Sequence, residues 1–189
     1  MSNIPKLYFK EDTEWRKWLE ANHDKFDGVY LVFYKVNHDK DSMRWEEAVR
    51  VALCFGWIDS TVKSLGDGKR QQYFCPRKPK SAWSKVNKTY IDALVSENLM
   101  HESGLLKVSQ AKEDGSWNHL DAVEEGIIPD DLQEAFNRVP KAEKHFKAFS
   151  RTYRKSYLYW LNQAKRPATR EARIREIIRL CGNNIKTRN

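Results

Sequence analysis

The densest chemistry in the sequence lies between Ala52 and Lys88. Lys63, Lys69, Arg70, Arg77, Lys78, Lys80, Lys85 and Lys88 are opposed there only by Asp59 and Asp67. Cations at this density suit an anion, because their mutual repulsion falls when a phosphate or carboxylate sits among them. Arg70, Arg77, Lys80 and Lys85 are candidates to converge on one, with Pro76 and Pro79 stiffening the chain between them. Ser81 or Ser84, placed to open a helix, adds free backbone N–H groups and a positive dipole end. Tyr73, Phe74 and Trp83 are interleaved with these cations and offer rings on which a base could stack. The candidate ligand-binding residues are therefore Arg70, Arg77, Lys80, Trp83 and Lys85. The plainer alternative is a solvated basic surface with the aromatics in the core.

Asp59 is the one candidate for catalysis. Beside Arg70 it could orient the guanidinium or act as a general base; the alternative is a structural ion pair or turn cap. No paired carboxylates suited to acid–base work are visible, since Glu46-Glu47 and Glu124-Glu125 are adjacent and point apart on a helix. His23, His38, His101, His119 and His145 lack metal-ligand spacing. The three cysteines, Cys54, Cys75 and Cys181, form no C-x-x-C pair, which argues against a disulfide framework or a structural zinc. Cys75 has cations near it that could activate the thiol, although a buried thiol is the simpler reading. Gly66-Asp67-Gly68 is a turn and not a phosphate-binding loop. No metal and no cofactor are expected.

The elements that must position these residues follow from periodicity. The residues from Thr13 to Asn22 read as a helix, with Asp12 a candidate cap and Trp15, Trp18 and Leu19 on one face. Val29 to Val36 reads as a strand buried on both faces, or nearly so. The stretch from Arg44 to Phe55 reads as a second helix, capped by Ser42 and ended at Gly56, with Trp45, Ala48, Val49, Ala52 and Leu53 as its stripe. Trp57 to Ser64 and Arg70 to Pro76 read as the arms of a hairpin. From residue 81 onward the strand signals stop. Helices are expected to about Glu97, from Ser103 to Asp114, after Pro129, from Pro140 to Phe149, from Ser150 to Ala164 and from Ala168 to Cys181. Trp83, Val86, Tyr90 and Leu94 are the stripe of the first of these. Leu105, Leu106 and Val108 serve the second, and Tyr153, Tyr157 and Trp160 the helix from Ser150. Strands thus cluster early and helices late. The pattern indicates an α+β fold, with a small, mostly antiparallel sheet in the N-terminal half and a helical C-terminal half. The expected organisation is one domain over residues 1–189, with an α+β lobe over 1–80 and a helical lobe over 81–189.

The bulk numbers bound the partners. The chain has 189 residues, 40% of them hydrophobic and 12% aromatic, which is the composition of a globular protein and not a disordered one. Its net charge of +8 favours anionic partners. The N-terminus lacks the apolar core of a signal peptide and no long apolar run follows. Neither secretion nor membrane insertion is expected, and a cytoplasmic location follows by default.

Three segments carry a family resemblance. Ala52-Leu-Cys-Phe-Gly-Trp-Ile-Asp-Ser, Tyr73-Phe-Cys-Pro-Arg-Lys-Pro-Lys-Ser-Ala-Trp-Ser-Lys-Val-Asn and Tyr153-Arg-Lys-Ser-Tyr-Leu-Tyr-Trp-Leu-Asn-Gln-Ala-Lys-Arg-Pro-Ala-Thr-Arg resemble the YdeI/OmpD-associated (OmdA-type) proteins over nearly the whole chain. Cys75 stands where a threonine is more usual, and Val86 where a bulkier or charged residue often sits. The resemblance implies a link to bacteriocin protection or tolerance of antimicrobial peptides. It implies no reaction, cofactor or catalytic residue.

The expected function is that of a cytoplasmic binding protein. Its basic, aromatic-lined cleft, formed by the hairpin and the helix after it, would take an anionic ligand or nucleic acid. One alternative is an enzyme acting on a small anionic or phosphorylated substrate, with Asp59 as base and Arg70, Arg77 and Lys85 as clamps. Another is a stress-response adaptor that binds a protein partner through its C-terminal helices.

Overall fold

The computed structural model describes residues 4–188. The fold is the expected α+β, with a mixed sheet first and only helices after it. The chain divides into two compact units, residues 1–118 and 119–189. The two helices that follow residue 80 belong to the first unit.

The first unit is built on a four-stranded sheet in the order β1-β2-β4-β3, from β1 (Lys6–Tyr8), β2 (Val29–Tyr34), β3 (Trp57–Gly66) and β4 (Lys69–Pro76). β1 runs parallel to β2; the other two pairings are antiparallel. The hairpin between β3 and β4 turns at Gly66-Asp67-Gly68, all three with positive φ, at 77°, 44° and 69°. Glycine supplies such conformations without a Cβ clash, and aspartate is among the side chains that tolerate them. β2 alternates strictly: Val29, Leu31 and Phe33 are buried, whereas Tyr30, Val32 and Tyr34 are only half-buried. The sequence predicts burial on both faces. The difference arises because β2 sends only alternate residues into the hydrophobic core, and the tyrosines of the other face pack on one another, Tyr30 against Tyr73 and Tyr34 against Tyr8.

α1 (Asp12–Asn22) and α2 (Trp45–Cys54) supply much of the core. Trp15, Leu19, Ala48, Val49, Ala52 and Leu53 meet Val29, Leu31, Phe33, Trp57 and Phe74 there. The buried indoles of Trp15 and Trp57 are hydrogen-bonded, which offsets the cost of burying their N–H groups: Trp15 Nε1 donates to the Ala48 carbonyl at 3.2 Å and Trp57 Nε1 to that of His23 at 3.1 Å. The helix starts fall at Glu11 and Arg44 instead of the predicted caps Asp12 and Ser42. At each, a glutamate three residues on accepts from the cap backbone N–H, Glu14 from Glu11 at 3.3 Å and Glu47 from Arg44 at 2.6 Å.

α3 (Lys85–Ser96) is capped by Ser84, whose hydroxyl accepts from the Asn87 N–H at 3.3 Å. Its buried side chains are Ile91 and Leu94, whereas Val86, predicted to be in the stripe, is exposed. α4 (Glu102–Glu113) also turns a different face inward than its leucines suggest. Leu105 and Leu106 are exposed, and Gly104, Val108 and Ala111 are buried. The cause is a close helix approach: a Cβ at Gly104 would lie 2.1 Å from the Cys54 carbonyl oxygen. Only glycine lets α4 sit that near α2, and that contact sets which face of α4 is covered.

The second unit contains, among the described residues, α5 (Asp121–Glu125), α6 (Asp130–Arg138), α7 (Pro140–Ala148), α8 (Arg151–Asn162) and α9 (Pro167–Gly182). Proline opens α7 and α9, where its missing N–H costs nothing. Leu132, Phe136, Ala142, Phe146, Tyr157, Leu158, Leu161 and Ile177 form the core. Of the predicted aromatic stripe on α8, Tyr157 is buried, with its hydroxyl donating to the Ile185 carbonyl at 2.9 Å. Trp160 is half-buried and Tyr153 reaches solvent. No helix of the described residues is long and apolar enough to cross a membrane.

Candidate ligand-binding groove

A groove of about 830 Å³ lies at the hairpin end of the sheet in the first unit. It is bounded by the end of β2, the loop after it, the first turn of α2 and the tip of the β3–β4 hairpin. Its aromatic lining residues are Phe33, itself almost fully buried in the core, Tyr34 and Trp45; its cations are Lys35, Arg44, Lys69 and Arg70; Glu46 is the sole lining carboxylate. The register explains the arrangement. Phe33 opposes Arg70 and Tyr34 opposes Lys69 across β2 and β4, so each aromatic carries a cation beside it on the same face. The Arg70 guanidinium lies 5.5 Å from the centre of the Phe33 ring, a cation–π contact that fixes its reach into the groove.

Asp59 stands behind this groove and does not line it. Its Oδ2 accepts from Trp45 Nε1 at 3.0 Å and from Gln72 Nε2 at 2.5 Å. Arg70 is instead opposite Ser64 and Phe33. The carboxylate thus holds the Trp45 indole in place and satisfies the amide of the buried Gln72.

The other candidate residues divide between two places. Arg77 and Trp83 come together at the opposite end of β4, with the guanidinium stacked 3.7 Å from the centre of the indole ring. Arg77 Nη2 donates to the Ala82 carbonyl at 2.8 Å and its backbone N–H to that of Gly56 at 2.9 Å. Its Nε and Nη1 have no hydrogen-bond partner among the described residues. Burial pushes this guanidinium down to about 10, because no carboxylate bonds it to offset lost hydration. Lys80 is exposed and lines the adjoining cavity with Arg77 and Trp83, but that cavity measures only about 10 Å³, room for one water-sized group. The Lys80 N–H donates to Asp114 Oδ2 at 3.1 Å. Lys85 is exposed on the first turn of α3 and lines neither cavity. The structure therefore brings Arg77, Lys80 and Trp83 together and puts Arg70 elsewhere. The sequence reading missed Lys35, Arg44, Trp45 and Lys69 as a set. Trp45 and Arg44 sit at a helix start, and only the sheet register shows that this start meets the hairpin tip.

Burial raises the Cys75 thiol above its ordinary value against the pull of Lys78 and Arg77, which disfavours the thiolate. Cys54, Cys75 and Cys181 are all free. Among the described residues no group of three or more His, Cys, Asp or Glu is placed to hold a metal.

A family model described as a domain of unknown function, DUF8412, matches residues 7–107. That is just over half of the 189-residue chain. The chain belongs to the DUF8412 family. A second model, described as bacteriocin-protection, YdeI or OmpD-associated, matches residues 125–184. The OmdA-type resemblance thus holds for the C-terminal region, and the part of the chain that carries the groove matches the DUF8412 model instead. Each model falls within one of the two compact units of this DUF8412 protein. Comparison with curated proteins and with solved structures gives no match.

Proposed function

We propose that this DUF8412 protein is a binding protein for an anionic ligand with a planar group, held in the groove between Trp45 and Arg70. The observation that carries this is the composition of an 830 Å³ groove: three aromatic residues and four cations against one carboxylate. A ligand of this class gains stacking on the rings and charge neutralisation at Arg44, Lys69 and Arg70. Arg77, Lys80, Trp83 and Lys85 serve a different purpose in this reading. Arg77 and Trp83 brace the loop after β4, and Lys80 and Lys85 add positive potential on the same unit. Binding is favoured over catalysis because both bonds that Asp59 accepts are structural, and Glu46 is the one carboxylate facing the groove. A cytoplasmic setting agrees with three free thiols. A role in peptide tolerance rests on the description of the model matching residues 125–184 alone.

Thermal-shift titration with adenosine monophosphate, adenosine and inorganic phosphate tests the reading. The monophosphate is expected to raise the Tm, as any ligand of the native state does by mass action, with adenosine and phosphate each less effective. Arg44→Ala together with Arg70→Ala should remove the effect and leave the fold intact. Equal shifts from all three probes, or from wild type and variant alike, would reject the groove as the site.

A further inference from the structure

We propose that the second unit binds nucleic acid through a phosphate-gripping surface centred on Trp160. The starting point is a charge asymmetry within that unit. Residues 138–188 carry 15 Lys and Arg against 3 Asp and Glu, whereas residues 119–137 carry 6 acids and no Lys or Arg. Two of these cations meet at one ring. The Arg173 guanidinium lies 5.0 Å from the centre of the Trp160 ring and that of Arg188 lies 4.5 Å from it. Arg173 also donates to the Trp160 carbonyl, which ties α9 to the end of α8. Lys165 and Arg166, both exposed, follow Trp160 in the link between those helices, and exposed Lys186 lies two residues before Arg188.

None of these five cations has a carboxylate within 4 Å among the described residues. The outward arginines of α9 differ: Arg175 faces Glu171 and Arg179 bonds Glu176. Holding two guanidiniums on one indole is electrostatically unfavourable, and Arg188 is lowered by its burial and then by Arg173. Phosphates placed between such groups relieve that repulsion, and guanidinium forks match phosphate oxygens in geometry.

A phosphodiester chain fits better than an anionic membrane. The apolar stripe of α9, Ile174, Ile177, Ile178 and Cys181, is taken up by the unit's own core, so α9 does not offer that face to a bilayer. Two guanidiniums already lie against the half-buried Trp160 ring, which leaves little of it to stack a base. The recognition expected is therefore of the backbone and not of sequence. These cations belong to the second unit and the groove residues to the first, so either reading can fail without the other.

The test is fluorescence anisotropy with the full chain, a labelled single-stranded oligonucleotide of mixed sequence, its duplex, and phosphatidylglycerol vesicles as competitor. Five phosphate contacts predict that log affinity falls with log salt at a slope of about −3.5 on single strands and about −4.5 on duplex, roughly a hundredfold or more loss from 50 to 200 mM salt. The exposed triple variant Lys165→Ala, Arg166→Ala, Lys186→Ala should reduce the slope by about 2 to 3. Arg175→Ala with Arg179→Ala, and Arg70→Ala in the groove, should leave it unchanged. Arg173→Gln with Arg188→Gln should weaken binding further; should that variant not fold, the triple variant decides alone. Absence of salt-sensitive binding to either oligonucleotide, an unchanged slope in the triple variant, or binding to the vesicles without binding to the oligonucleotides would overturn the proposal.

Discussion

The two units solve the same problem with different materials. The first holds 19 Lys and Arg against 17 Asp and Glu and six of the seven tryptophans. Its core interlocks indoles from α1 and β3 with the sheet, and the N–H groups of Trp15 and Trp57 each donate to a carbonyl. The second holds 15 cations against 9 acids in far fewer residues, with one tryptophan. Its core is of Leu, Ile, Phe and Tyr on helices alone. Near-balanced charge in the first unit leaves its local excess in particular places, such as the four cations of the groove. In the second, the excess lies in residues 138–188, and two of its arginines meet at the Trp160 ring. The lesson is that net charge read over the full chain hides where it acts: six of the eight excess positive charges belong to residues 119–189.

The sharpest test of the aromatic core is Trp57→Ala. Trp57 is fully buried, stacks edge-on to Trp15 and Trp18, and bonds the His23 carbonyl. Truncation should cost about 3–5 kcal/mol by chemical denaturation. A loss below 1 kcal/mol would mean that the indole network does not dominate the first unit.

Next is Gly104→Ala, which in an ordinary helix would stabilise. Here the added methyl meets the Cys54 carbonyl, and overpacking should cost about 1–3 kcal/mol. A stabilised variant would show that α4 can move away from α2.

In the second unit the corresponding test is an ion pair. Lys155 Nζ lies 2.6 Å from Glu124 Oε2, with the carboxylate nearly buried and the lysine partly in solvent. Lys155→Met should cost about 1–2 kcal/mol, less than a fully buried pair because water screens the lysine side. Urea denaturation at low and high salt checks it; a neutral result would assign the unit's stability to its apolar core alone.

A smaller effect is expected from acid. The Arg170 guanidinium, bonded to Asp131 across α6 and α9, holds that carboxyl below its ordinary value of 3.8. A depressed folded-state value means that the pair stabilises fully above 3.8 and that this contribution is lost as pH falls through the lower folded value. Asp131→Asn should therefore flatten the pH dependence of stability below that point, and a curve parallel to wild type would remove the pair from the account. Smallest in energy is the thiol pattern. Cys181 is pushed up to about 12 by burial and Cys54 is also raised, so both should react slowly with a thiol reagent in the native state. Half-buried Cys75 should react first, and all three should react in denaturant. A chain with fewer than three reactive thiols after denaturation without reductant would contradict free cysteines.

Much of the architecture was legible in residue order. Periods of two and 3.6, proline at residues 140 and 167, and glycine at 66 and 68 determine strands, helices and the hairpin, because each acts through its own backbone and near neighbours. The absence of a metal-ligand pattern and the cation excess are likewise properties of the string. What needed the tertiary structure is every pairing between distant residues. The strand order β1-β2-β4-β3 puts Arg70 beside Phe33 and near Trp45, and leaves Arg77 to stack on Trp83 beyond the other end of β4. Eight residues of β-strand separate those arginines' environments by the strand's length, so cations that look clustered in sequence serve different ends. The inward face of α4 was hidden for a related reason: a glycine–carbonyl contact outweighs two leucines, and sequence periodicity registers side chains, not how near two backbones come.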